Sequence, residues 1–188
     1  MTTVKVVVLG LGAVGKSCLS IRFVQNTFMT EYEPTISNTY KKAITLNNQQ
    51  YSLDILDTAG METQEALKPQ IYRDRDVFIL VYAINERESF DNISKIHSDI
   101  QRYKDTNKFP CVLCANKIDL ENERQVSYED GKALATTLGA QFLETSAKTG
   151  VGVQEIMTTA VNEYLKMSNI VINNGGPDPS PKCKCNIL

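Results

Sequence analysis

Three observations predict an α/β fold built on a mostly parallel sheet with helices on both faces. Short apolar strands alternate with amphipathic helical stretches, and such a chain must cross over between parallel strands. Residues 77–83 and 111–115 are almost unbroken apolar runs, as in strands covered on both faces. Asn47-Asn48 separates two strand-like stretches, 40–46 and 50–56. Asn tolerates the positive φ of a tight hairpin, so one strand of the sheet should be antiparallel. About six strands and five helices are expected.

The elements follow in order. Residues 4–9 form a short β-branched strand that runs into a glycine turn. Cys18, Leu19, Ile21 and Phe23 suit a helix over 17–24 better than a strand. The hairpin and the buried strand 77–83 come next. Phe90, Ile93, Ile96, Ile100 and Tyr103 recur at helical spacing, and 111–115 is the following buried strand. Ser127 can cap a helix whose first turn carries Glu129 and Asp130, and Gly139 ends it. Gln141–Glu144 is a short strand. Val153, Ile156, Met157, Ala160, Val161, Tyr164 and Leu165 make one apolar face of a last helix. The globular domain is expected over 1–167. Residues 173–181 contain no apolar side chain, so 168–188 should be a disordered tether.

Composition bounds the function. The chain has 188 residues, 42% apolar and 22% charged, which suits one globular domain with a short tail. Twenty basic against 22 acidic residues leave a net charge of -2, which argues against nucleic acid as a partner. No apolar run approaches the roughly 18 residues that span a bilayer, and 6–9 is too short for a signal peptide. Cytosolic synthesis and residence are expected unless a group is added. The five cysteines are an odd number without a disulfide framework. Cys111 and Cys114 fall on opposite faces of a strand, which speaks against a redox or metal pair, and Cys18 reads as a small core residue. His97, on a helix, is assigned no chemical role. Arg73 to Asp76 and Glu121 to Arg124 read as solvated turns.

Gly10-Leu11-Gly12-Ala13-Val14-Gly15-Lys16-Ser17 fits G-x-x-x-x-G-K-[ST] between the first strand and the first helix. Backbone N–H groups there can point into a phosphate at a positive helix end. Lys16 offers a charge to the outer phosphates, and Ser17 a hard oxygen to Mg²⁺. Asn116-Lys117-Ile118-Asp119 follows a strand at its C-terminal end, where ligands bind in open α/β sheets. The Asp119 carboxylate can accept from guanine N1–H and N2–H₂, a pair that adenine lacks. Ser146-Ala147-Lys148 follows the next strand, and the Ala147 N–H could meet the guanine carbonyl. Phe28 could cover the base edge-on, with core packing as the alternative. Asp57-Thr58-Ala59-Gly60 ends a strand; Asp57 can hold Mg²⁺ through water, and the Gly60 N–H can reach the terminal phosphate. Thr35, in Tyr32-Glu33-Pro34-Thr35-Ile36, could be a second protein ligand of Mg²⁺. Loss of the terminal phosphate would release both segments.

These motifs, in this order and spacing, resemble those of Ras-family small GTPases over residues 3 to about 167, with the Ras/Rap/Rheb branch the best fit. The resemblance implies a P-loop NTPase small G domain and a GTP/GDP switch in signal transduction. It extends the nucleotide contacts to Gly12, Ala13, Val14, Gly15, Lys16, Ser17 and Cys18. It adds Phe28, Met29, Thr30, Tyr32, Pro34, Thr35 and Gly60, and, around the base, Asn116, Lys117, Asp119, Leu120, Ser146, Ala147 and Lys148. Lys16, Thr35, Gly60 and residue 61 would carry catalysis, and Ser17, Thr35 and Asp57 the metal. Effectors would bind 32–40 and 60–72, and an exchange factor and a GTPase-activating protein are implied as partners of a monomer.

Two departures stand out. The family's usual glutamine after D-T-A-G is Met61 here, so slow intrinsic hydrolysis is expected. Ser37-Asn38-Thr39 lacks the usual acids of the effector segment. Cys185-Asn186-Ile187-Leu188 matches C-a-a-X with a geranylgeranyl-type Leu, and Cys183 is a candidate for palmitoylation. Lipid anchoring at the cytoplasmic face of the plasma membrane or an endomembrane is therefore expected. Two rivals stay open: a GTP-bound binding module with negligible hydrolysis, and a P-loop kinase or ATPase.

Overall fold

The computed structural model describes residues 2–28, 37–58 and 68–174. Six strands form one sheet: β1 (Thr2–Leu9), β2 (Ser37–Leu46), β3 (Gln49–Thr58), β4 (Val77–Ala83), β5 (Cys111–Asn116) and β6 (Gln141–Glu144). Their order is β2-β3-β1-β4-β5-β6. All pairings are parallel except β2 with β3. The hairpin between those two turns on Asn47 (φ 51°) and Asn48 (φ 61°), the left-handed pair that the sequence predicts.

The helices are α1 (Lys16–Gln25), α2 (Lys68–Asp74), α3 (Arg87–Asp91), α4 (Ile93–Lys104), α5 (Tyr128–Leu138) and α6 (Val153–Asn174), with a 3₁₀ turn at Ile118–Glu123. Period-two alternation divides the strand residues between two cores. Val6, Val8, Ile55 and Val81 pack with Leu19 and Phe23 of α1 and with Ile156, Met157 and Val161 of α6. Val7, Leu9, Leu80 and Leu113 pack with Ile93, Ile96 and Ile100 of α4. Cys114 lies in the first core and Cys111 in the second, as opposite strand faces require.

α5 has the expected ends. The Ser127 hydroxyl accepts from Asp130 N–H at 3.0 Å, and Gly139 closes the helix at φ 67°. Four details differ from the sequence reading. The amphipathic stretch around Phe90–Tyr103 is two helices, divided at Asn92. α2 is an additional helix, held by the buried Tyr72. α6 continues to Asn174, past the boundary read at 167, because no glycine or proline interrupts the chain before Gly175. The Arg73-to-Asp76 stretch is not a loose solvated turn. Arg75 pairs with Asp54 at 3.0 Å, Asp76 accepts from the Lys5 N–H at 2.8 Å, and Lys5 pairs with Asp74 at 2.7 Å. These contacts tie the end of α2 to β1 and β3.

His97 is buried against Phe109, ring centroids 4.9 Å apart, and burial lowers its pKa. It is a packing residue, in keeping with the sequence reading.

Candidate nucleotide site

Among the described residues, the C-terminal ends of β1, β3, β5 and β6 carry the phosphate loop, Asp57, Asn116 to Asp119 and Ser146 to Lys148. The strand order changes direction between β1 and β4, which opens the crevice where such sheets bind ligands.

The loop after β1 is tightly constrained. Gly15 has φ 97°, and a Cβ there would stand 2.3 Å from Asn116 Nδ2. Only glycine fits both the dihedral and the space. Ala13, with φ 58°, is a non-glycine residue held in a left-handed conformation, and so is Lys117, with φ 68°. Such strained positions concentrate at functional sites. Lys16 Nζ donates to Gly10 O at 3.1 Å and Leu11 O at 2.6 Å. Burial lowers its pKa to about 8, opposed by the charge of Asp57. The ammonium is thus held inside its own loop, costly to desolvate and close to where an anion would enter.

Asp57, near the end of β3, is fully buried, with the Ser17 side chain in hydrogen-bonding contact with its carboxylate and the Lys16 charge nearby. Burial raises its pKa; the Ser17 side chain and the Lys16 charge act the other way. A buried carboxylate in that condition is unfavourable unless a cation or water completes it. Ser17 at the start of α1 brings a hydroxyl to the same place. The pair fits a hard divalent cation. Among the described residues, no three His, Cys, Asp or Glu side chains converge. An ion here would take most of its shell from water and phosphate, as Mg²⁺ does.

The far side of the crevice is a hydrogen-bonded frame. Asn116 is buried; its Nδ2 donates to Val14 O at 2.9 Å. Its Oδ1 accepts from Thr145 Oγ1 at 3.1 Å and from Ala147 N–H at 3.2 Å. One side chain therefore locks the phosphate loop to the strand ends behind it. Asp119 lies on the 3₁₀ turn. Its Oδ1 accepts from Ser146 Oγ at 2.6 Å, and Lys148 Nζ stands 3.9 Å from its other oxygen.

A family model described as the Ras family matches residues 5–166. The chain belongs to the Ras family. It is 50% identical over 172 residues to Ras-like protein 1 of Saccharomyces cerevisiae, an overlap of 92% of this chain and 53% of that protein. It is 46% identical over 162 residues to protein ras-1 of Neurospora crassa, covering 86% of this chain and 76% of that one. The chain thus spans about half the length of the yeast relative.

In this Ras-family chain the structure brings together Gly12 to Cys18, Asp57, Asn116, Lys117, Asp119, Leu120 and Ser146 to Lys148. Cys18 is half-buried, and its pKa is raised by burial and by the charge of Asp57 and lowered by that of Lys117. Phe28 is 37% exposed and lies outside both cores as described. The Ala147 N–H, read as a donor to the base, is given to Asn116 here. Met29, Thr30, Tyr32, Pro34, Thr35, Gly60, Met61 and Gln64, with Cys183 and Cys185, lie outside the described residues.

Sequence reasoning missed Thr145 and Arg124. Thr145 is buried and hydrogen-bonds both Asn116 and Cys114 Sγ. The available signal was its place directly after a strand and beside Ser146. The Glu121-to-Arg124 stretch, read as a solvated turn, is instead clamped by Arg124, which is 17% exposed and pairs with Glu144 at 2.8 Å.

Proposed function

We propose that the chain is a guanine-nucleotide switch that binds GTP and GDP with Mg²⁺ and hydrolyses GTP to GDP and phosphate. The observation that supports this best is the buried Asp57 carboxylate beside Lys16 and Ser17 in the phosphate loop. Ser17, Thr35 and, through water, Asp57 would hold the ion. When bound, Mg²⁺ would neutralise phosphate charge.

The chain's own groups do the rest. Lys16 and the loop amides bind the phosphates and stabilise charge that develops on them. Asp119 reads the base, held by Ser146. Thr35 and Gly60 contact the terminal phosphate and order segments 30–40 and 58–72, which then present an effector surface at 32–40 and 60–72. Residue 61 is the place from which the attacking water would be oriented, and Met61 offers no useful hydrogen bond there. Intrinsic turnover is therefore slow. An activating protein supplies what is missing, and an exchange factor replaces GDP. The segment Ser37-Asn38-Thr39, without acids, selects a different effector set from that of Ras proteins with an acidic one. Prenylation at Cys185, with Cys183 as a second acceptor, places the monomeric domain at the cytoplasmic face of a membrane.

The base assignment has a direct test. Asp119→Asn should lower the preference for GTP over xanthosine triphosphate by ~10²-fold or more, because Asn can donate to the 2-oxo group where Asp only accepts. Competition binding of the two nucleotides measures it, and an unchanged preference would overturn the assignment. Met61 itself favours a second reading, a GTP-bound binding module with negligible turnover. Single-turnover hydrolysis with and without cell extract separates the two: acceleration by extract belongs to a regulated GTPase, and no turnover in either case belongs to the module.

A further inference from the structure

We infer that Arg124 positions Asp119 and thereby sets how strongly the site prefers guanine over hypoxanthine. The inference rests on the reading of Asp119 as the residue that recognises the base.

Asp119 sits on the 3₁₀ turn Ile118–Glu123, which buries no residue and departs from helical geometry at Leu120 (φ −100°, ψ 38°). At its start Ile118 packs against the second core and donates its N–H to Thr145 O at 3.2 Å; the residues after it rely on polar contacts. Arg124 follows it directly. Its Nε donates to the two Glu121 carboxylate oxygens at 2.9 and 3.0 Å, and its Nη2 donates to Oε2 at 2.7 Å. On the other edge of the guanidinium, Nη1 donates to Glu144 Oε1 at 2.8 Å and to Val126 O at 3.1 Å.

Glu144 is the last residue of β6, immediately before Thr145 and Ser146. One planar, permanently charged group therefore joins the turn that carries Asp119 to the strand end that carries Ser146, which itself donates to Asp119. Arg124 and Glu144 are 17% and 22% exposed, so this arm is partly withdrawn from water and less screened than a surface pair. Asn85 Nδ2 also reaches Glu123 at 3.4 Å, and Lys148, near Asp119, is 63% exposed, much as Glu121 is at 64%. Released from Arg124, the turn can drift, and a small drift of Asp119 lengthens two hydrogen bonds to the base edge at once.

Inosine diphosphate lacks the exocyclic amine, so the GDP-to-IDP affinity ratio reports the second of those bonds. The test measures both affinities by competition against a fluorescent GDP, using the full chain with Mg²⁺. The wild-type ratio should be ~10–10², the worth of one hydrogen bond to a charged group. Arg124→Gln should bring the ratio to within about threefold of unity, with GDP losing much more affinity than IDP. Arg124→Lys should fall short of rescue, since an ammonium cannot fill both edges of the fork. Glu144→Gln cuts the clamp from its other end without touching the turn, and should also lower the ratio. Equal weakening of GDP and IDP in all three variants, with the ratio kept, would mean a purely structural role and would overturn the inference. A wild-type ratio near one would overturn the reading of Asp119, and the inference with it.

Discussion

Met61 follows Gly60 in the sequence, and under the proposed function the Gly60 N–H would touch the terminal phosphate and residue 61 would start beside the attacking water. A thioether neither accepts usefully from that water nor donates to the transition state, and an amide does both. Met61→Gln should raise intrinsic GTP hydrolysis by ~10–10³ with little change in GTP affinity. If Gln64 already fills the role, Met61→Gln changes little and Gln64→Ala slows the reaction; single-turnover rates of both variants decide. At this scale the sequence was most informative where a residue's chemistry is local. The glycine at position 15 is one the motif requires, and the structure shows why: its dihedral and the approach of Asn116. It was least informative where one atom serves two partners. The Ala147 amide is a candidate donor to the base and here donates to Asn116, a contact that no pattern of residue types displays.

Among elements, β4 shows how a strand is legible. All seven of its residues are buried, and the unbroken apolar run says so in advance. Its Tyr82 is the exception within that run. The ring packs against Phe90 at 5.0 Å, but the hydroxyl is buried without a hydrogen-bond partner, and burial raises its pKa. An unpaired buried hydroxyl costs about 1–3 kcal/mol, so Tyr82→Phe should stabilise the fold and raise Tm by about 2–12 °C. Thermal unfolding measures it, and a lower Tm would reveal a partner for the hydroxyl. Gly131 of α5 packs on the same ring. A Cβ there would lie 2.4 Å from the Tyr82 oxygen and 2.6 Å from the Phe142 ring, so Gly131→Ala should cost about 1–3 kcal/mol. Short elements without periodicity were harder to read. α2 has seven residues, and its place is set by Tyr72 and by ion pairs to distant strands, which no local window contains.

At the scale of the whole molecule, the described motifs meet at the C-terminal ends of one sheet's strands, a convergence legible in the sequence because parallel topology forces it. Every strand that carries a motif ends there, and Asn116 and Arg124 then brace the loops against one another. The tail belongs to the same scale: Cys185→Ser should move the protein from membranes to the soluble fraction, and mass spectrometry of protein from eukaryotic cells should find a lipid on the wild-type terminus. An unmodified chain ending at Leu188 would refute that. The central claim, a guanine-nucleotide switch that depends on Mg²⁺, is tested most directly by the nucleotide carried by the purified full-length chain. One guanine nucleotide per chain is expected, GDP where turnover proceeds and GTP where Met61 has stopped it, released on chelation of Mg²⁺. An adenine nucleotide, no nucleotide, or a guanine nucleotide indifferent to chelation would contradict it.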